Sequence, residues 1–441
     1  MPARQDQLQS HQFSTQRVVA ALLTQDTDPA RSPFRRTAGA TFAGVLLAVV
    51  ALAGAAVYGL FTGPGPDSWR DASAILVEKE SGARYVYRKA DDRLHPVLNY
   101  ASALLLVGSP DAHVVLISRA TLAKAPLGAP LGIPDAPDSL PARGELRSGS
   151  WTLCSTPDGS ALLVGVPVRG GHPVGVPQGL LVSTVDGDRF LVYDGKRHRI
   201  PHPETALAAL GWSGRQPVPV APVLVNALPA GPDLRPPVIP NRGRPSTTAA
   251  GAKIGQLFGT AGHQYAVALA DGVADLTEVQ AALLLADPAT PGPAIALTTA
   301  QYAALRRSST GLVRRDTLPA NTPELTGPAK TVCVNGTTVL VDPVLPDGGF
   351  LPTGDDARVD RVLVPRGSGA LVEAAAAPNA PPGTGTLTVV TDAGTAYPLA
   401  SPDLLGPLGY GGVTPQRIPA ALVALLPTGP ALDPASPGLA G

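Results

Sequence analysis

The chain has 441 residues, with 34 Lys and Arg balancing 34 Asp and Glu, 44% hydrophobic residues, 49 Pro and 48 Gly. That apolar content is enough for a core and excludes a disordered stalk, while the Pro and Gly predict many turns and few long helices, a loop-rich β or α+β fold. Balanced charge, no Lys or Arg block beyond the first 36 residues and no interleaving of basic and aromatic residues argue against nucleic-acid binding.

Residues 1–36 form a polar leader. Phe13, Val18, Ala21 and Leu22 recur at roughly helical spacing with Gln16 and Arg17 off that stripe, which predicts an amphipathic helix against the membrane or a partner; a loosely ordered tail is the other reading. Residues 37–62 are predicted to be a single transmembrane helix. From Ala38 to Phe61 there is no charge for 24 residues, and such a helix would reach about 36 Å, enough to cross a bilayer. A cleaved signal peptide would use Ala53-Gly54-Ala55, but the leader is too long for an ordinary n-region and the run is about twice a typical h-region. Arg35-Arg36 also brings a twin-arginine signal to mind, yet Thr37-Ala38-Gly39 lacks the bulky apolar residues that should follow. Arg17, Arg31, Arg35 and Arg36 precede the run and only Asp67 lies just after it, so the positive-inside rule puts the leader in the cytoplasm and the remainder outside, with Arg35 and Arg36 flanking the membrane.

Four later segments resemble one another, beginning at Ala74, Gly179, Ile254 and Gly385. Each reads as strand, turn, strand and short helix, with the turn at Ser81-Gly82, Asp186-Gly187, Ala261-Gly262 and Ala393-Gly394, where glycine supplies the positive φ of tight hairpins. An aromatic follows each glycine by three positions: Tyr85, Phe190, Tyr265 and Tyr397. A second turn at Asp91-Asp92, Asp194-Gly195 or Asp271-Gly272 makes the first three β-β-β-α units, shortened in the fourth. Asn99, Pro203-Glu204, Thr277 and Ser401-Pro402-Asp403 suit helix starts.

A longer period is superimposed. Gly82 precedes Cys154 by 72 positions and Gly262 precedes Cys333 by 71. The strand-turn-strand text from Trp151 matches that from Lys330, and the text from Leu210 matches that from Leu408. These relations divide the chain into repeat 1 (63–120), core segment 1 with Cys154 (121–178), repeat 2 (179–246), repeat 3 (247–320), core segment 2 with Cys333 (321–384), repeat 4 (385–430) and a tail (431–441). Residues 354–382 read as an insertion without a counterpart in the first half. Two related halves let equivalent strands meet at a pseudo-twofold axis, so Cys154 and Cys333, the only cysteines, are expected to pair outside the membrane rather than remain buried thiols.

Arg4 to Arg17 with Phe13, the single anchor, Ser81-Gly82-Ala83-Arg84-Tyr85-Val86-Tyr87, Leu94-His95-Pro96-Val97-Leu98-Asn99, Asp194-Gly195-Lys196-Arg197, Leu408-Gly409-Tyr410 and Leu426-Pro427-Thr428-Gly429-Pro430 together resemble EccB. This family supplies the bitopic membrane component of the type VII (ESX) secretion system of actinobacteria, and the resemblance spans nearly the whole chain. It implies four repeats around a six-stranded central core of quasi-twofold symmetry with one disulfide. It further implies a structural role in the translocon, self-association of ectodomains, and partnership with the EccC motor ATPase, the EccD channel and EccE.

Chemistry is sparse. Gly327-Pro328-Ala329-Lys330-Thr331 lacks the glycine framing of a phosphate loop, so no motif supports the ATPase label the family sometimes carries. His198 and His202 fall four apart, but Pro201 and Pro203 forbid the continuous helix that would align them for metal; both read as solvated loop, as does His172. His95, before Pro96, reads as structural. Gly149-Ser150 and Gly367-Ser368-Gly369 are loop text rather than a nucleophile elbow. Glu78 and Glu80, a carboxylate pair of the kind glycosidases use, read as solvated strand positions. No catalytic, cofactor or metal-binding residue is expected. The sequence therefore points to a structural membrane subunit, with an anchored peptidoglycan-binding module as the alternative and a hydrolase disfavoured.

Overall fold

The computed structural model describes residues 4–24, 33–62, 68–247, 251–309, 312, 318–352 and 358–439. It divides into two units, residues 1–70 and 71–441. The first contains two helices, α1 (Arg4–Thr24) and α2 (Pro33–Thr62). Along α1, Phe13, Ala21, Val18 and Leu22 fall within about half a turn of one another at 100° per residue. Helix α2 has 30 residues. Its described side chains are those of residues 39–55, and Phe42, Val45, Leu46, Leu47, Val49, Val50 and Leu52 are all more than half exposed. Among the described residues, no helix is long and apolar enough to cross a membrane. The side chains of Arg35 and Arg36 lie outside the described residues.

The second unit is a mixed α+β structure of several sheets. The first contains β1 (Ala74–Glu78), β2 (Arg84–Arg88), β3 (Arg93–Pro96) and, beyond helix α3 (Tyr100–Val107), β4 (His113–Ile117), followed by α4 (Arg119–Leu122). Asn99 starts α3 by accepting a hydrogen bond from the Ser102 amide at 3.0 Å, and left-handed Gly108 ends it. Strand order is β3-β2-β1-β4, with β4 parallel to β1.

A hairpin follows, β5 (Trp151–Thr156) and β6 (Gly159–Val164), then the short β7 (His172–Pro173). The second sheet repeats the first arrangement with β8 (Gln178–Ser183), β9 (Arg189–Tyr193), β10 (Lys196–Arg199), α5 (Pro203–Ala209), β11 (Val218–Pro219) and α6 (Pro222–Ala227). The third has β12 (Leu257–Gly259), β13 (Tyr265–Ala268), β14 (Val273–Leu276), α7 (Glu278–Leu285), β15 (Ile295–Ala296) and α8 (Thr299–Ala303). Thr277 and Gln280 close a capping box on α7. In this sheet the left-handed turn residue is His263, φ 57°, rather than the expected Gly262.

After β16 (Glu324–Leu325), which joins β8 in parallel, come the hairpin β17 (Val332–Asn335) and β18 (Thr338–Val341), then β19 (Leu351–Pro352) and β20 (Arg361–Leu363). The last sheet is β21 (Ala370–Ala375), β22 (Thr386–Val390), β23 (Ala396–Pro398), a 3-10 turn (Pro402–Leu405), β24 (Gln416–Pro419) and α9 (Ala420–Val423).

Three expectations are corrected. Each unit is β-β-β-α-β, not β-β-β-α: the chain returns from its helix to lie parallel to the first strand. Three of these return strands, β11, β15 and β24, have two to four residues or contain proline, so their text does not announce them. The fourth sheet is not shortened, because its first strand is β21, inside the stretch read as insertion and as core segment 2. Its Gly394 turn joins the second and third strands, not the first and second, and Tyr397 therefore lies in a third strand. Glycine marks both kinds of turn and cannot distinguish them. In the tail, Leu432 is fully buried and Leu439 nearly so.

The sheets pack in pairs. Ile75, Val86 and α3 of the first sheet share a core with Val389, Tyr397 and Leu432 of the last, while Leu181, Leu191 and Leu207 of the second meet Val279 and Leu283 of the third. The central sheet has seven strands, β19-β20-β6-β5-β17-β18-β7. The expectation is six; the strands at both edges, β19 and β7, are two residues long.

Three sheets share a device at the outer edge of the third strand. A strap containing Pro126-Leu127-Gly128, Pro229-Ala230-Gly231 or Pro427-Thr428-Gly429 pairs in parallel with that strand through Leu127, Ala230 and Thr428. The glycine presses on a ring of the strand: a Cβ on Gly128, Gly231 or Gly429 would lie 2.2, 2.4 or 2.2 Å from a carbon of His95, His198 or Tyr397. The third sheet has no such ring. Its strap is held instead by the Asp271 carboxylate, which accepts from the Ser308 hydroxyl at 2.5 Å and the Ser309 hydroxyl at 2.8 Å. Those bonds hold that carboxyl down to about 2. Gly231→Ala should therefore destabilise the protein by roughly 1–3 kcal/mol through overpacking. Gly327→Ala, where nothing lies within 4 Å of the new Cβ, should stay within about 0.5 kcal/mol. Thermal unfolding of the full chain in detergent compares them.

Candidate functional site at the disulfide core

The centre of the second unit is the antiparallel contact of β5 with β17. Its register pairs Leu153 with Val334, Cys154 with Cys333 and Ser155 with Val332. The two cysteines, both fully buried, form a disulfide that spans 179 positions of sequence. Around it lie Ala161, Leu163 and Leu363, so the sulfurs sit in a dry apolar layer. The β-hairpins on either side carry one sheet each: Trp151, Leu153, Leu162 and Val164 pack on the last sheet, and Val332, Val334, Val339 and Val341 pack on the second. Each hairpin thus supports the sheet whose chain follows the other hairpin.

Polar locks tie these layers together. The Ser155 hydroxyl accepts from the Ala221 amide at 2.9 Å at the start of α6. Asp360 accepts from the Ser160 amide at 2.7 Å and hydroxyl at 2.6 Å, and the Asp360 amide donates back to that hydroxyl at 3.1 Å. These bonds hold the Asp360 carboxyl below its ordinary range. The buried Tyr410 hydroxyl donates to the Pro141 carbonyl at 2.9 Å, closing the last sheet onto the segment before β5.

The residues weighed for chemistry scatter. His95 is buried and uses both ring nitrogens, on the Ala129 carbonyl and Asp91, at 2.8 Å each. His198 is not in a solvated loop, contrary to its sequence reading: it lies in β10, is 2% exposed and contacts the Pro232 carbonyl through Nδ1 at 2.8 Å. Alternation along β10 turns it inward under the strap. His202 precedes α5 without capping it, and His172 is exposed in β7. Glu78 is also corrected from solvated to buried. Its carboxylate takes the Ser81 hydroxyl and, at 2.7 Å, Arg119 Nε, whereas Glu80 is exposed and accepts from the Arg119 amide at 3.1 Å. Both carboxylates thus serve one turn.

Lys330 and Thr331 donate backbone amides to Asp342 at 2.8 and 3.0 Å and lead into strand β17. A phosphate loop needs a helix there, with its N-terminal amides on the anion. Among the described residues no three His, Cys, Asp or Glu converge as a metal group. An open cleft of about 620 Å³ lies between the second and third sheets, lined by Thr205, Leu234, Val238 and Leu283. Its Arg242 and Asp287 are spent on each other at 2.5 Å.

What sequence reading missed are the straps. The recurring Pro-x-Gly text of residues 126–128, 229–231 and 427–429, each 33 or 32 positions after its ring, was the available signal.

This arrangement defines a class: a disulfide-centred β scaffold. The comparisons specify it. The family model for the type VII secretion system ESX-1 transport TM domain B, EccB, matches residues 1–440. The chain belongs to the EccB family. It is 28% identical over 468 residues to the "ESX-3 secretion system ATPase EccB3" of Mycolicibacterium smegmatis, covering 97% of this chain and 88% of that one. It is 34% identical over 301 residues to the "ESX-5 secretion system ATPase EccB5" of Mycobacterium tuberculosis, covering 63% and 58%. In structure it is similar to a chain of an intact ESX-5 inner membrane complex, TM-score 0.66 at 26% identity over 99% and 94% of the two chains. It is also similar to the EccB3 dimer from the ESX-3 core complex, TM-score 0.64 at 26% identity over 81% and 98%.

Two outcomes test this centre. Replacing Cys154 and Cys333 together by Ser should cost about 2–5 kcal/mol, the upper end being expected for so long a closed loop, visible as an earlier urea midpoint. Burial lowers the His198 pKa below 6.5, outweighing its bond to Pro232. The unfolded chain therefore takes up the proton more readily, so this contribution to stability is full above pH 6.5 and declines as pH falls below it. His198→Tyr, which places there the residue found in the last sheet, should flatten the fall in melting temperature between about pH 7 and 5.

Proposed function

We propose that the chain is the structural EccB subunit of a type VII secretion complex, and that it works by anchoring and joining rather than by catalysis. The observation that carries this is the buried Cys154–Cys333 centre with its four dependent sheets. Helix α2 is the single membrane span in this reading, supported by the uncharged run from Ala38 to Phe61 and by apolar side chains exposed on all sides of the helix. A helix apolar all round belongs in a bilayer or a protein core.

The leader then lies in the cytoplasm, Arg35 and Arg36 mark the inner membrane surface, and residues 71–441 form the extracytoplasmic domain, where an oxidising compartment maintains the disulfide. The four sheets are copies of one unit, placed around the central sheet with quasi-twofold symmetry; their common strand order supports this. Repeat boundaries follow the sequence division with the last unit extended back to β21. Partners are an EccC-type motor ATPase, an EccD-type channel and an EccE-type subunit, together with further copies of the chain.

Tagged protein solubilised from host membranes in mild detergent should retain EccC-, EccD- and EccE-like proteins in stoichiometric amounts through stringent washing. Recovery alone, or with cell-wall material, would overturn the subunit reading and favour a peptidoglycan-binding module.

A further inference from the structure

Among the described residues, sheet edges in this domain are protected, with one exception. The third strands β3, β10, β14 and β23 are bridged by their straps. Strands β7, β11 and β19 are two residues long and contain proline, β15 and β16 are two residues long, and β24 carries Arg417 and Pro419. Short strands, prolines and charges are the devices that keep sheet edges from pairing with other chains. Strand β4 reads His113-Val114-Val115-Leu116-Ile117 and has none of them. Its counterparts in the second and last sheets are covered by the core, leaving Val218 and Ile418 at 6% and 5% exposure, whereas Val114 and Leu116 stand at 50% and 55%.

The backbone is equally open. The His113 amide donates to Ser73, and Ile117 accepts from the Lys79 amide, so 113, 115 and 117 turn toward β1. Alternation leaves the N–H and C=O of Val114 and Leu116 on the free side.

We propose that β4 is the strand through which two copies of this chain pair, antiparallel, about a twofold axis at Val115. In that register Val114 of one copy lies opposite Leu116 of the other, twice, and their outward amides and carbonyls exchange four hydrogen bonds. The same pairs put four exposed apolar side chains in contact on one face. Antiparallel pairing also brings Asp111 toward Arg119 of the second copy, which bonds Glu78 through Nε while its side chain stays 67% exposed, an arrangement that parallel pairing lacks. The surface rests on the self-association proposed above and gives it a location. A single strand pair buries less than a standard interface, so it acts where the membrane raises the effective concentration of the two copies.

The test is disulfide trapping of full-length Val115→Cys in host membranes. On the axis residue 115 faces itself as a non-hydrogen-bonded pair, with Cα atoms about 4.5 Å apart, within reach of a bridge. Mild oxidation should yield covalent homodimer at least about tenfold above Val176→Cys, a control exposed at 62%, and adding Leu116→Lys should reduce the yield severalfold. Yields no higher than the control, while the secretion subunits still co-purify, overturn the strand pairing and leave the subunit reading intact. Trapping of a different polypeptide overturns the pairing between copies. Failure of the unsubstituted chain to co-purify with any partner removes both readings.

Discussion

The antiparallel register of β5 on β17 is the constraint from which the rest of the second unit follows. It sets Cys154 against Cys333, and because the two strands come from segments 179 positions apart, this one contact fixes how the halves of the chain meet. Closing such a loop is costly in entropy before any packing is gained. The covalent link removes much of that cost from the unfolded side, and the apolar layer around it supplies the burial. Each hairpin then carries the sheet that follows the other hairpin, so neither half completes its core alone.

Away from the centre, the same economy recurs on a smaller scale. A strap would contribute little if it merely lay along a sheet. Here it pairs with the third strand and traps a ring beneath a glycine, converting a loop into a covered edge. The cost is a strict steric demand at Gly128, Gly231 and Gly429, and at His198 a buried imidazole whose pKa burial lowers. His95, in the corresponding place, has Asp91 at 2.8 Å.

His95, His198, Glu78 and Asp360, which would suggest catalysis in isolation, are engaged in turns, straps and layer contacts, and the lysine-threonine pair resembling a phosphate loop enters a strand. The solved structures that the chain resembles are parts of an ESX-5 inner membrane complex and of an ESX-3 core complex.

Sequence alone determined the uncharged run of residues 38–61, the family, the pairing expectation for Cys154 and Cys333, and most hairpin and cap positions, including Asn99 and Thr277, because these depend on local composition, turn chemistry and spacing. Tertiary structure decided the return strands, since β11 and β15 contain too few residues to show a period and gain their conformation from the first strand beside them. It moved the start of the fourth unit back to β21, because two glycine turns of identical local text can join different strands. It also turned Glu78 and His198 inward, a choice made by the neighbours Arg119 and Gly231, which lie 41 and 33 positions away in sequence.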